Sequence, residues 1–122
     1  MKKFDIFRLN LDPKKGHAQA GIRPGVIIQS NAFNPYSSTV IIVPLTTKKN
    51  KIFPSEFIIK PSSQNGLKKT SRFLGSQIVT VDKRFLLEKL GSLEEKYFPL
   101  LKEALGIVLD LDDYFVTIQG GG

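Results

Sequence analysis

The sequence predicts a mainly β (α+β) domain: a small, strongly curved antiparallel barrel of short strands with a terminal helix packed on it. Short runs rich in β-branched and aromatic residues recur between turn signals over residues 4–81. The long helical stripe comes after them, so strands and helices do not alternate as they do in parallel folds. With 122 residues and 41% hydrophobic content, the chain can bury one compact core.

The first half of the chain is predicted to contain three strands, over residues 4–10, 24–30 and 39–45. The first alternates apolar and polar side chains, which predicts one buried face. Residues 11–21 have no periodicity and are expected to form a loop. The third strand is apolar at successive positions, so it is predicted to be buried on both faces.

The second half is predicted to contain two strands, over residues 56–60 and 72–81, with Gly75 as a candidate bulge. Residues 82–90 suit a short helix capped by Asp82. A capping-box pattern from Ser92 to Glu95 opens the last helix, in which Pro99 predicts a kink or break. We expect one domain over residues 1–118 and a disordered tail over 119–122.

Positive charge is concentrated in the first half of the chain, although the net charge of the whole is +7. Residues 1–61 hold ten lysines and arginines against three acids, whereas residues 62–122 hold eight of each. Clustered positive charge attracts polyanions because it releases counterions from phosphates. The asymmetry therefore favours a nucleic-acid partner, RNA above all, over an ordinary solvated surface.

Several kinds of chemistry have no support in the sequence. With no cysteine and one histidine, His17, the chain lacks a thiolate nucleophile and the ligands of most zinc sites. No phosphate-binding glycine motif is present, so no cofactor is expected. The cluster Asp110, Asp112 and Asp113 is interpreted as solvated charge, and no metal site is predicted. No leader or membrane-spanning segment follows MKKFDIF, which predicts a cytoplasmic protein without a membrane partner.

The remaining chemistry lies in loops rich in basic and hydroxyl side chains. Arg23 precedes the second strand, next to Pro24, and Thr46 and Thr47 follow the most buried strand. Guanidinium and hydroxyl donors suit the stabilisation of charge on a reacting phosphate. Taken singly, each of these residues is equally consistent with an ordinary surface position.

Their order along the chain is more specific. Residues 11–24, LDPKKGHAQAGIRP, resemble the first loop of the MazF/PemK family of toxin endoribonucleases, whose pattern is DPxxGxEQxGxRP. Residues 26–47 are similar to the family's next two strands and its threonine-bearing loop. Residues 66–84 are similar to its later strand, where QI and TVDK recur. The resemblance covers about residues 4–110.

The resemblance implies an SH3-like barrel with a C-terminal helix, shared with the toxins Kid and CcdB. It implies a homodimer that cuts single-stranded RNA (mRNA) at short sequences by attack of the RNA 2′-OH, without metal and without the ribosome. It also implies an acidic, partly disordered antitoxin as partner. Arg23 matches the family's catalytic arginine and Thr46 its catalytic threonine. The expected RNA-binding residues are Lys14, Lys15, His17, Gln19, Thr47, Lys48, Lys49, Lys51, Ser76 and Gln77.

The sequence departs from the family pattern at two positions. Ala18 stands where the family has a glutamate, and Phe4 where it has a glycine. His17, which titrates near neutrality, is a candidate base beside Ala18, and an exposed loop histidine is the alternative. Two other functions therefore stay open: an RNA- or antitoxin-binding relative with weakened catalysis, and a CcdB-like toxin that binds a protein target.

Overall fold

The computed structural model describes residues 1–11 and 21–111. Four of the predicted RNA-binding residues, Lys14, Lys15, His17 and Gln19, lie outside the described residues, and so does the predicted tail over 119–122. Within the described residues, no helix is long and apolar enough to cross a membrane.

Over residues 1–11 and 21–111, seven strands precede one α-helix. The elements are β1 (Asp5–Leu11), β2 (Gly21–Ile27), β3 (Thr39–Thr46), β4 (Glu56–Ile59), β5 (Ser71–Leu74), β6 (Val79–Asp82), β7 (Leu86–Ser92) and α1 (Phe98–Leu109). All pairs are antiparallel, in the order β4-β5-β3-β2-β1-β7, and β6 pairs with β3 off this path. The predicted class is confirmed, although in the described part of the chain the end strands β4 and β7 do not pair and the sheet is not closed.

Strand β3 is the centre of the sheet. Its first half pairs with β6 and its last two residues pair with β5, while β2 lies along its other edge. Val40, Ile42, Val43 and Leu45 are each at most 1% exposed, which confirms burial on both faces. These apolar side chains are divided between two core clusters, so β3 joins the two halves of the core.

The predicted helix over residues 82–90 is wrong. Asp82 does act as a cap, accepting a hydrogen bond from the backbone N of Arg84 at 2.9 Å. The turn that it caps is a single 3₁₀ turn, Lys83–Phe85, after which the chain continues as β7. Strand β7 pairs with β1. Backbone pairing to an otherwise open strand edge outweighs the helix propensity of leucine, glutamate and lysine.

The predicted strand over residues 72–81 is two strands. A 3₁₀ turn, Gly75–Gln77, separates β5 from β6, so Gly75 does not form the predicted bulge. The backbone N of Gly75 donates to the Ser55 carbonyl at 3.0 Å, and a Cβ at Gly75 would lie 2.3 Å from that oxygen. The turn therefore requires glycine for a close backbone approach.

The last helix begins later than predicted. Ser92 ends β7, and a 3₁₀ turn, Glu95–Tyr97, leads into α1. Pro99 lies in the first turn of α1, where its missing N–H is tolerated, so the predicted kink is absent from the described helix. The predicted apolar stripe is confirmed at its centre, where Leu101 and Ala104 are 3% and 2% exposed.

Candidate functional site

The two predicted catalytic residues come from neighbouring antiparallel strands. Arg23 lies near the start of β2 and Thr46 at the end of β3, so both lie at the same end of the strand pair. There they border a depression of about 250 Å³, here called the central depression. It is lined by Ile22, Arg23, Pro24, Leu45, Thr46, Thr47, Lys48 and Ser71.

Thr46 forms part of the floor of the central depression. The residue is 4% exposed, and its Oγ1 accepts a hydrogen bond from the backbone N of Lys48 at 3.2 Å. A hydroxyl has one donor hydrogen and two acceptor lone pairs. Because the contact with Lys48 uses a lone pair, the hydroxyl hydrogen of Thr46 remains for donation to another group.

A second depression, of about 660 Å³, extends from Lys48 toward α1 and is here called the helix-side depression. It brings together three of the predicted RNA-binding residues, Lys48, Ser76 and Gln77. Its other lining residues are Asn50, Phe53, Pro54, Ser55, Glu56, Arg72, Leu74, Ile107 and Val108. Ser76 and Gln77 belong to the 3₁₀ turn after β5, so that turn supplies one wall.

Two other predicted residues are placed differently. Lys49 and Lys51 are exposed on the segment between β3 and β4, and they line neither the central nor the helix-side depression. The Lys51 carbonyl instead accepts a hydrogen bond from Nη1 of Arg72 at 3.5 Å. The geometry thus groups Arg23, Thr46, Thr47 and Lys48 and leaves these two lysines outside both depressions.

Arg72 also lines the candidate site, although it was not among the predicted site residues. It lies opposite Thr46 in the β3–β5 register and lines the helix-side depression. Its side chain is 8% exposed, and its Nε lies 3.5 Å from Oε1 of Glu56, whose side chain is equally buried. The sequence feature that could have indicated this pair is a glutamate and an arginine, of opposite charge, in two successive predicted strands.

The donors around the central depression suit a phosphodiester. Arg23 offers a fork of N–H groups, Lys48 an ammonium group, and Thr46 and Thr47 hydroxyl groups. Within residues 1–11 and 21–111, no three histidine, cysteine, aspartate or glutamate side chains converge as a metal site would require. Asp112 and Asp113 of the aspartate cluster lie outside the described residues.

A family model and two similar proteins all point to one protein family. The family of PemK-like, MazF-like toxins of type II toxin–antitoxin systems matches residues 2–109. The chain is 39% identical to an endoribonuclease MazF of Staphylococcus saprophyticus over 111 residues, which are 91% of this chain and 92% of the relative. It is 36% identical to an endoribonuclease MazF of Staphylococcus epidermidis over 114 residues, 93% and 95% of the two chains.

Solved structures share the fold. A mycobacterial endoribonuclease in complex with its cognate antitoxin aligns with a TM-score of 0.75 and 26% identity, covering 91% of this chain and 96% of that one. A MazF of Deinococcus radiodurans aligns with a TM-score of 0.75 and 23% identity, covering 90% and 96%. The second similarity is evidence of fold alone.

Proposed function

Because this chain belongs to the family of PemK-like, MazF-like toxins of type II toxin–antitoxin systems and is an endoribonuclease, we propose that it cleaves single-stranded mRNA at short defined sequences. The cleavage requires neither a metal ion nor the ribosome. Arg23 and Thr46 are its catalytic residues. One observation carries this assignment: the two side chains, from different strands, border the same depression together with Thr47 and Lys48.

The reaction is an internal transfer at one phosphate. The ribose 2′-oxygen loses its proton and forms a bond to phosphorus, while the bond from phosphorus to the 5′-oxygen breaks. The products are a 2′,3′-cyclic phosphate and a 5′-hydroxyl that has gained a proton. The requirement for a 2′-OH separates RNA from DNA.

Each catalytic residue has a role that fits its chemistry. The guanidinium of Arg23 contacts two phosphoryl oxygens and stabilises the charge that builds up on them. The hydroxyl of Thr46, oriented by its contact with the Lys48 backbone, donates to a nonbridging oxygen. Thr47, Lys48, Ser76 and Gln77 bind the flanking nucleotides. Lys14, Lys15, His17, Gln19, Lys49 and Lys51 are further RNA-binding residues in this proposal.

The partners follow from the same surface. An acidic, partly disordered antitoxin binds over the central depression and prevents RNA from binding there. The mycobacterial relative was solved in complex with its cognate antitoxin. The active form is a homodimer in the cytoplasm. Support for the dimer comes from α1, where Leu100 and Ile107, seven residues apart and therefore on one face of the helix, are 41% and 50% exposed. Large apolar side chains grouped on one exposed element favour a second copy as their cover.

The test is cleavage of a mixed-sequence RNA in EDTA, with the new ends sequenced. We expect wild-type protein to give recurrent cuts that bear 2′,3′-cyclic phosphate. Arg23→Ala is expected to lower the cleavage rate by about 10²-fold or more, since it removes a charged donor from the reacting phosphate.

The matched control is Arg84→Ala. Arg84 is 76% exposed and pairs with Asp82 at the opposite end of β3 from Thr46, so its loss should leave cleavage unchanged. Tight RNA binding without cuts would favour a relative with weakened catalysis, which the alanine at position 18 in place of a glutamate would explain. Neither binding nor cutting would favour a toxin that acts on a protein target. Either result contradicts the proposed nuclease.

A further inference from the structure

A third depression adjoins the central depression, and no residue of α1 lines it. It measures about 560 Å³ and shares Pro24, Thr47 and Ser71 with the central depression. Lys68 and Lys69 stand on its wall, and we call it the lysine-side depression. The proposed function gives no role to residues 66–70.

The lysine-side depression carries unbalanced positive charge. Lys68 and Lys69 are exposed, and no ion pair within the described ranges involves either of them. Glu88 also lines the depression, but its Oε1 lies 2.5 Å from Nε of Arg8 on the same wall, which neutralises it. Two cations therefore remain to attract a polyanion.

The backbone that carries the two lysines is firmly held. Asn65 is fully buried, and its Oδ1 accepts hydrogen bonds from the backbone N of Ser62 and of Leu67 at 3.1 and 3.0 Å. Leu67 is 6% exposed in the core, and the Ser71 hydroxyl donates to the Lys69 carbonyl at 3.0 Å. The lysine side chains thus project from a fixed platform, which lowers the entropy lost on binding.

Gly66 attaches this platform to β7. The residue has φ +70°, and a Cβ built on it would lie 1.9 Å from the Leu90 carbonyl oxygen. The segment therefore lies in direct backbone contact with β7, beside the wall formed by Arg8 and Glu88. Leu67, Leu90 and Pro24 give the depression apolar lining next to its cationic rim.

We propose that the lysine-side depression binds the RNA strand on one side of the cut, with Lys68 and Lys69 contacting the phosphates of the flanking nucleotides. An apolar lining beside a cationic rim suits a single-stranded nucleotide, since the base covers the apolar surface and the phosphate meets the lysines. This subsite rests on the proposed function. With the central and helix-side depressions it forms one continuous track, joined at Thr47 and at Lys48.

Phosphate contacts of this kind strengthen binding without reading sequence or performing chemistry. Replacing both lysines by glutamine should raise KM at 0.15 M salt by about ten-fold. The slope of log(kcat/KM) against log salt concentration should fall in magnitude by about 1.4. Each phosphate contact to a single strand contributes about 0.7 to this slope, and two contacts are lost. The turnover number and the cut sequence should stay unchanged.

The experiment uses a synthetic oligoribonucleotide that carries the mapped cut with three nucleotides on each side, and two shortened forms that lack the nucleotides of one side. KM, kcat and the salt slope are measured for wild-type protein and for Lys68→Gln/Lys69→Gln. One of the two shortened substrates should lose its sensitivity to the double substitution. The matched control is Lys2→Gln/Lys96→Gln, which removes two exposed charges outside all three depressions.

Three results overturn the subsite: an unchanged KM and salt slope, an equal effect of the control variant, or equal sensitivity of both shortened substrates. Weaker binding of an acidic antitoxin peptide with unchanged RNA kinetics would assign the lysines to that partner and also overturn it. Failure of the proposed function is a separate result, because wild-type protein would then leave every substrate uncut. In that case the Kd of a mixed-sequence single-stranded oligoribonucleotide, measured for the same variants, still decides the subsite.

Discussion

At the scale of single residues, the buried pair of Arg72 and Glu56 links the candidate site to the stability of the fold. The Arg72 guanidinium also contacts the Lys51 carbonyl, and Oε1 of Glu56 accepts from the backbone N of Phe53 at 3.3 Å. The pair therefore fastens the segment between β3 and β4 at two points. This segment follows Thr46 directly and carries Lys48. The pair therefore positions one wall of the helix-side depression.

Arg72→Met is expected to lower the free energy of unfolding by about 3 kcal/mol, because it leaves the Glu56 carboxylate buried without its partner. The double variant Arg72→Met/Glu56→Leu should recover most of this loss, since two apolar side chains need no compensation. Urea denaturation of both variants measures the difference. Arg84→Met, at an exposed pair, serves as control and should change stability by about 0.5 kcal/mol or less. A single variant as stable as this control would contradict the account.

At the scale of elements, periodicity predicted the first four strands to within three residues at each end. It succeeded there because one or both faces of these strands are buried, and burial is what the pattern of apolar residues records. Phe4 precedes β1 with φ 76°, at the position that the resemblance assigns to a glycine, and stacks on Phe98 at 3.9 Å between ring centroids. The departure noted in the sequence thus corresponds to a backbone conformation that glycine favours.

Periodicity failed where tertiary pairing decides the conformation. None of the seven residues of β7 is fully buried, so this strand shows no alternation of buried and exposed side chains. The helix-forming composition of residues 82–90 was therefore misleading. The open edge of β1 explains β7, but that edge is known only once β1 is placed. The capping-box pattern from Ser92 to Glu95 failed for a similar reason, since Ser92 pairs with Asp5 as the last residue of β7 and its backbone N donates to the Gln64 carbonyl at 2.9 Å.

The candidate site was predicted in part. Arg23 and Thr46 were predicted through the resemblance and stay a prediction, and the sheet register explains why both border one depression. Arg72 and the platform of Lys68 and Lys69 were missed. Their placement depends on which strands are neighbours and on how a turn packs against β7, and neither is recorded in local sequence patterns.

At the scale of the whole molecule, the proposed dimer places a second copy next to the groove. Ile107 belongs to the exposed apolar face of α1 and also lines the helix-side depression beside Gln77. A partner bound to this face would therefore border the substrate track. The dimer and the site are thus expected to be coupled.

Light scattering after size exclusion is expected to give wild-type protein a mass near twice the 13.6 kDa of one chain. Ile107→Glu should shift it to the monomer, because a carboxylate would be buried in an apolar contact. Tyr36→Glu is the control: Tyr36 is 88% exposed and belongs to the turn before β3 rather than to α1. A monomeric wild-type protein, or dissociation caused by the control alone, would refute the proposed interface.

The central claim, that Arg23 and Thr46 act together on one phosphate, is tested most directly by a double-mutant cycle on kcat/KM in EDTA. Arg23→Ala and Thr46→Val should each lower kcat/KM by about 10²–10³-fold. The combined variant should lose much less than the product of the two effects, because both groups stabilise the same transition state. Single variants with wild-type activity, or effects that multiply fully, would contradict a joint role.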